Sequence, residues 1–371
     1  MDLTGVPLVV VLVVVAVACF AVVVVGRPRP ARQGVAMAVR GGEVLVLNIV
    51  VIALVGVILN DQYLFYTSWS DLFGAGSTQV ESHQGGTQRD FVTAPVHGAG
   101  LGAVVQPGTL PPLPDPTSRL QTYTVTDPRT GNAGQVLVYL PKGYNPASKR
   151  TYPVIEGLHG FPGHPSSFLK LNFLTSADEL TAEHKLAPSI FVMPMIDTPA
   201  SLDTECVNGG PGEPQTDTWL STDIPAWTVR HFRAQSARTS WATIGYSYGA
   251  WCAASLAMRH PDVFGGAIVL LGYFRPDFST AYDPLTPASL AGYDLVHLAK
   301  TNPPAIAMWV LTSHEDPLSW GTTSRFLSVA RAPLDVSAVV LAHGGHRTSL
   351  LTPYVPSALA WLGQTLPGFR A

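Results

Sequence analysis

Charge is scarce in this chain. Only 13% of its 371 residues are Asp, Glu, Lys or Arg, against 47% hydrophobic residues. The 22 basic residues nearly balance the 25 acidic ones, leaving a net charge of −3. Beyond residue 60 the Lys and Arg residues are scattered, with Lys149-Arg150 the one adjacent pair, and make no basic patch, which argues against nucleic acid as a partner. Cysteine is scarcer still, with three residues, and no internal repeat runs along the chain.

What is present is apolar sequence, concentrated at the start. Val6 to Val25 contains no charged or strongly polar residue and is long enough to span a bilayer as a helix. Val44 to Leu59 is a second apolar run, interrupted by Asn48, and it reaches spanning length when Gly41 to Asn60 all contribute. Arg27, Arg29, Arg32 and Arg40 lie between the two, with no acidic residue among them. The positive-inside tendency places that loop in the cytoplasm, and hence everything after Asn60 outside it. A cleaved signal peptide with Ala36-Met37-Ala38 as its small-residue site is the competing reading. Such a peptide carries its positive charges before the apolar region, whereas here they follow it. The expected organisation is a membrane anchor over residues 1–60 with helices at about 6–26 and 42–60, a juxtamembrane connector over 61–118, and a catalytic domain over 119–371.

Two cysteines remain once Cys19 is assigned to the first span. Cys206 and Cys252 then occupy an oxidising compartment, where pairing is expected. The alternative for Cys252 is a small buried apolar residue. In the connector, Tyr63, Phe65, Tyr66 and Trp69 cluster where amphipathic rings favour the membrane–water interface. The stretch that follows, up to Pro116, is rich in Gly, Pro, Thr and Gln and reads as an extended linker that partly wraps the domain.

From Leu120 onward strand and helix patterns alternate. Strands are expected at 121–126, 135–140, 153–158, 189–195, 240–244, 266–271, 305–311 and 336–341. Helices are expected at 177–185, 218–234, 248–259, 288–300, 321–330 and 353–366. The first two strands, joined by a Pro-Arg-Thr-Gly turn at 128–131, read as an antiparallel hairpin at one edge. The rest imply a mostly parallel sheet flanked by helices, an α/β-hydrolase layout in which the fifth strand precedes Gly245-Tyr246-Ser247-Tyr248-Gly249. A Gly-x-Ser-x-Gly turn between strand and helix is a nucleophile elbow, its glycines relieving a crowded backbone so that the serine projects at the tip.

A serine hydroxyl needs a histidine to take its proton and a carboxylate to hold that histidine in the right tautomer. In this layout the chain order is Ser, acid, His, each beyond the carboxyl end of a strand. The strand at 305–311 runs into His314-Glu315-Asp316-Pro317, so Asp316 is the expected acid, with Glu315 the alternative. Asp262 and Asp294 follow no strand and read as solvated surface groups. After the last strand, His346 follows Gly344-Gly345 and is the expected general base. His343 reads as a packed or hydrogen-bonded histidine at the strand end. The pair could also suggest zinc, but a lone His-x-x-His without a carboxylate at ligand spacing is weak evidence, and no metal or cofactor is assigned. Backbone donors for the oxyanion are expected from Tyr248 and, in Leu158-His159-Gly160-Phe161-Pro162-Gly163, from Phe161.

On these motifs, with His260-Pro261-Asp262-Val263-Phe264 after the elbow, the segment from about Leu120 to Leu366 resembles the esterase D group of α/β hydrolases, which includes the mycobacterial mycolyltransferases. The resemblance implies a serine esterase or acyltransferase with Ser247, Asp316 and His346 as its triad, and Phe161 and Tyr248 as oxyanion donors. Mycolyltransferases carry a glutamate acid elsewhere and a Trp shortly after the catalytic histidine, where this chain has Arg347-Thr348-Ser349. Those differences favour hydrolysis of an acyl ester over transfer to a sugar or glycolipid hydroxyl of the envelope. A catalytically silent binding domain on the same fold is the third reading.

Overall fold

The structure is a computed structural model that describes residues 3–26, 33–63, 65–73, 80–85, 95–127, 130–199, 202–278 and 282–371. Arg27, Arg29 and Arg32, and the first half of the expected 128–131 turn, lie outside the described residues.

Two helices come first, α1 (Val6–Val25) and α2 (Gln33–Tyr63). Over Val6–Val25 and Gly34–Gln62 they are long and apolar enough to cross a membrane. Both leave valine, leucine and isoleucine side chains uncovered along their length, among them Val14, Val17, Ile49 and Ile52. The helices pack on each other. The Gly5 N–H donates to Asp61 Oδ1 at 3.0 Å, tying the start of α1 to the end of α2. Helix α2 is longer than the expected 42–60, because hydropathy limits a membrane span whereas backbone hydrogen bonding continues through Arg40 on one side and Gln62 on the other.

Among the described residues nine strands form one sheet. They are β1 (Val80–Gly85), β2 (Leu120–Thr126), β3 (Ala133–Tyr139), β4 (Val154–Leu158), β5 (Ile190–Pro194), β6 (Trp241–Tyr246), β7 (Gly266–Leu270), β8 (Ala307–Ser313) and β9 (Asp335–Leu341), in the order β1-β9-β8-β7-β6-β4-β5-β3-β2. The run from β9 to β5 is parallel, the β2–β3 hairpin closes one edge antiparallel, and β1 closes the other against β9. Strand β1 lies in the stretch expected to be linker, so the elbow strand is sixth in chain order rather than fifth.

Strands β4, β5 and β7 are buried along their whole length, as expected of parallel strands covered on both faces. Their alternate residues serve opposite cores: Ile190 and Val192 face one apolar cluster, Phe191 and Met193 the other. The helices that cover the sheet are α3 (Phe173–Ala182), α4 (Ile224–His231), α5 (Tyr248–Arg259), α6 (Pro287–Tyr293), α7 (Leu295–Thr301), α8 (Trp320–Val329) and α9 (Val355–Thr365). Helices α4, α5 and α8 contribute to the first cluster, α3 and α9 to the second. The single helix expected over 288–300 is two, because Asp294 leaves helical geometry and caps α7 by accepting the His297 N–H at 2.9 Å. Asp262 is likewise engaged, accepting the Gly100 N–H at 3.0 Å.

Candidate active site

Strand β6 ends at Tyr246 and α5 starts at Tyr248, so Ser247 alone turns the chain. It does so at φ 57°, ψ −128°, a backbone conformation that costs a non-glycine residue on the order of 1–3 kcal/mol. The Ser247 N–H donates to Leu270 O at 3.0 Å, which fastens the turn to β7. A Cβ at Gly245 would strike the carbonyl of Gly249, and one at Gly249 would strike the carbonyls of Leu158 and His159. Glycine on both sides is therefore what lets helix, strand and serine come together.

His346 is delivered by the loop after β9, where Gly344 turns the chain at φ 119°. Its Nε2 lies 2.7 Å from Ser247 Oγ and its Nδ1 2.8 Å from Asp316 Oδ2. Asp316 follows β8 and is completely buried. Its Oδ1 accepts the N–H groups of Leu318 and Ser319 at 3.1 and 3.4 Å, and its Oδ2 accepts the Ser319 hydroxyl at 2.7 Å. With Nδ1–H donating to the carboxylate, Nε2 carries the lone pair that faces the serine.

Glu315, the alternative acid, faces elsewhere. It pairs with His343 Nδ1 at 2.8 Å and accepts the Gly344 N–H at 3.1 Å and the Thr67 hydroxyl at 2.6 Å. Burial pushes its carboxyl up, but these hydrogen bonds outweigh burial and hold it below the ordinary value. His343 is thus a hydrogen-bonded histidine at the strand end. Among the described residues no group of three or more His, Cys, Asp or Glu side chains is set to hold a metal ion.

Tyr248 is the first residue of α5, a position whose amide has no acceptor within the helix. Phe161 lines the same cleft as Ser247. Its N–H shares a peptide plane with Gly160 O, and His159 Nδ1 holds that oxygen at 2.8 Å, fixing the plane. His159 is fully buried and also receives the Ile196 N–H on Nε2 at 3.4 Å. Burial, more than any neighbour, pushes this imidazole down to about 4. Asp197 Oδ1 at 3.6 Å is too distant for a hydrogen bond that would offset it. The Tyr248 hydroxyl lies 3.1 Å from Thr204 Oγ1 and accepts the Cys206 N–H at 3.3 Å. Cys206 and Cys252 form a disulfide with Cα atoms 5.6 Å apart, fastening that loop to α5.

The cleft over Ser247 and His346 has a volume of about 410 Å³ and is walled by Phe161, Tyr246, Leu271 and Leu318, together with Gln62 and Phe65 from the end of α2 and just beyond. Sequence reasoning missed Ser319, Thr67, Asp71 and Arg347 at this site. Ser319, three residues after the acid, had a local signal in its spacing; the others had none.

An elbow serine, a histidine and a buried carboxylate beyond the carboxyl ends of parallel strands define the α/β-hydrolase class. The family model described as "Putative esterase" matches residues 128–364, and the chain belongs to this Esterase family. An uncharacterized protein of Corynebacterium glutamicum is 27% identical over 224 residues, 58% of this chain and 50% of that protein. The MPT51 antigen of Mycobacterium leprae is 39% identical over 72 residues, 19% of this chain and 23% of the antigen. The chain thus spans half or less of the length of these relatives. Among solved structures, a ferulic acid esterase superposes with a TM-score of 0.55 at 18% identity, covering 66% of this chain and 98% of that one. An S-formylglutathione hydrolase from Agrobacterium tumefaciens does so with 0.55 at 17%, covering 67% and 95%. At such identities the likeness is one of fold.

Proposed function

We propose that the chain is a membrane-anchored serine esterase whose catalytic domain lies outside the cytoplasm and which cleaves acyl esters through Ser247, His346 and Asp316. The observation that carries this reading is the continuous hydrogen-bond line from Ser247 Oγ through both nitrogens of His346 to buried Asp316. Ser247 Oγ attacks the ester carbonyl while its proton passes to His346 Nε2, and Asp316 steadies the imidazolium that forms. The N–H groups of Phe161 and Tyr248 receive the negative oxygen of the tetrahedral intermediate. Collapse expels the alcohol, which takes the proton from His346, and water then releases the acid from Ser247 by the same steps in reverse order.

Three features support the location: two apolar helices at the start, four arginines between the apolar runs, and a disulfide in the catalytic domain. The apolar cleft wall, continued by Phe65 just beyond α2, supports an amphiphilic acyl ester, a lipid or glycolipid of the envelope, as the substrate class.

The test is a fluorophosphonate probe on the full chain in detergent micelles. The expected result is covalent labelling at Ser247 that disappears in Ser247→Ala, and labelling that survives the substitution overturns the assignment. Free acid is the expected product from a short-chain nitrophenyl ester with a sugar acceptor present. Acylated sugar would move the reading to acyl transfer, and neither labelling nor turnover would leave a silent binding domain.

A further inference from the structure

Nine residues of the connector, 65–73, reach across the face of the domain and touch both loops that supply the histidine and the acid. Asn60, near the end of α2, starts this path: its side chain donates to Tyr66 O and accepts the Tyr66 N–H, both at 2.8 Å. A short helix, Trp69–Leu72, follows, and Ser68 caps it by accepting the Asp71 N–H at 3.1 Å. That cap places the Asp71 carboxylate against the histidine loop. Arg347, the residue after His346, forks onto it through two hydrogen bonds of 2.7 and 2.6 Å, and Asp71 Oδ2 also accepts the Gly345 N–H at 3.4 Å, on the other side of His346. The Arg347 guanidinium further donates to Phe65 O at 2.9 Å and lies 4.8 Å from the centre of the Tyr66 ring. The two charged side chains are only 6% and 17% exposed, so this is not a solvated surface pair. Four residues earlier on the same segment, Thr67 donates to Glu315, which in turn holds His343 and the Gly344 N–H and precedes Asp316.

We propose that residues 65–73 form a brace across the histidine and acid loops, with Asp71, Arg347 and Thr67 as positioning residues for His346 and Asp316. The inference rests on the serine-esterase reading above. The physical ground is the freedom of the loop without it. Gly344 and Gly345 are conformationally permissive, and His346 must keep Nε2 within hydrogen-bond reach of Ser247 while Nδ1 stays on Asp316. Pinning Gly345 and Arg347 on both sides of His346 removes that freedom, and Asp71 does so from a different part of the chain. The same contacts join the end of the apolar helix to the catalytic machinery, so a change at the anchor is felt at the histidine.

The experiment uses the full chain in detergent micelles, with kcat and KM for a short-chain nitrophenyl ester, the second-order rate of fluorophosphonate labelling, and thermal melts. Asp71→Ala and Arg347→Ala are each expected to lower kcat and the labelling rate by about ten- to a hundredfold, with KM held within about twofold, as misplacement of a catalytic group does. The double variant is expected to lose clearly less than the product of the two single losses, because both break the same contact. Thr67→Val is expected to show a smaller fall of the same kind. Arg347→Lys keeps the charge but not the fork, and carries the same test for any variant that fails to fold. Rates within twofold of the parent for folded Asp71→Ala and Arg347→Lys, with Ser247→Ala silent, would overturn the brace and leave the esterase reading intact. A parent chain that is neither labelled nor active overturns the two together.

Discussion

Ser247 holds a backbone angle that its own Cβ disfavours, and its neighbours explain how. Gly245 and Gly249 sit where any side chain would meet a carbonyl oxygen, so Gly249→Ala is expected to cost more than about 4 kcal/mol and to leave little folded protein, as thermal melts would show. Asp316→Asn keeps the shape of the acid but presents an amide to His346 Nδ1, favouring the wrong tautomer. The expected fall in kcat is roughly 10³- to 10⁴-fold, and a loss under about tenfold would contradict the role proposed for Asp316. His159 gives a pH dependence. Folded, it takes a proton only near pH 4, whereas the unfolded chain takes it near 6.5. Between those values the unfolded state binds the extra proton, so stability is full above about 6.5 and falls as pH drops toward 4, by on the order of 3 kcal/mol. Melts of His159→Gln should show a shallower slope than the parent across that window. Comparison of slopes also removes the opposite trend from Glu156, whose complete burial raises its carboxyl well above the usual range. At this scale the positions proposed for serine, acid and base could be read from the chain because each is set by a strand end and a nearby Gly or Pro. The choice between Glu315 and Asp316 was less so, since adjacent residues in a turn face different partners.

Among the elements, the run β6–Ser247–α5 is the most local and was legible almost to the residue, with α5 found at the expected 248–259. Strand β1 was not. Val-Glu-Ser-His-Gln-Gly has little β-branched character, and its pairing is supplied by the free edge of β9. The expected helix over 218–234 is one path in three pieces, with a wider turn at Trp219–Asp223 leading into α4. The disulfide is an element-scale device, closing a separation of 46 residues between the loop at Cys206 and α5. By chain entropy it stabilises the domain by about 4 kcal/mol. A Cys206→Ala/Cys252→Ala variant is therefore expected to melt well below the parent under non-reducing conditions, with the gap closing when the parent is reduced. Equal melting points before reduction would contradict this.

For the whole molecule, the proposed topology makes a directional prediction. In intact cells stripped of their wall, protease added outside should remove the domain after Asn60, while a tag inserted between Arg27 and Arg32 should stay protected until the membrane is opened. Cleavage of that tag in sealed cells would reverse the orientation. The sequence by itself determined the apolar helices, the alternation that builds the sheet and the elbow, because periodicity, glycine and strand ends act over a few neighbouring residues. Tertiary structure alone decided that Asp71 meets Arg347, 276 positions away, and that Thr67 meets Glu315, 248 positions away. No pattern marks such partners, since either carboxylate could pair with any donor until the folded sheet leaves one within reach.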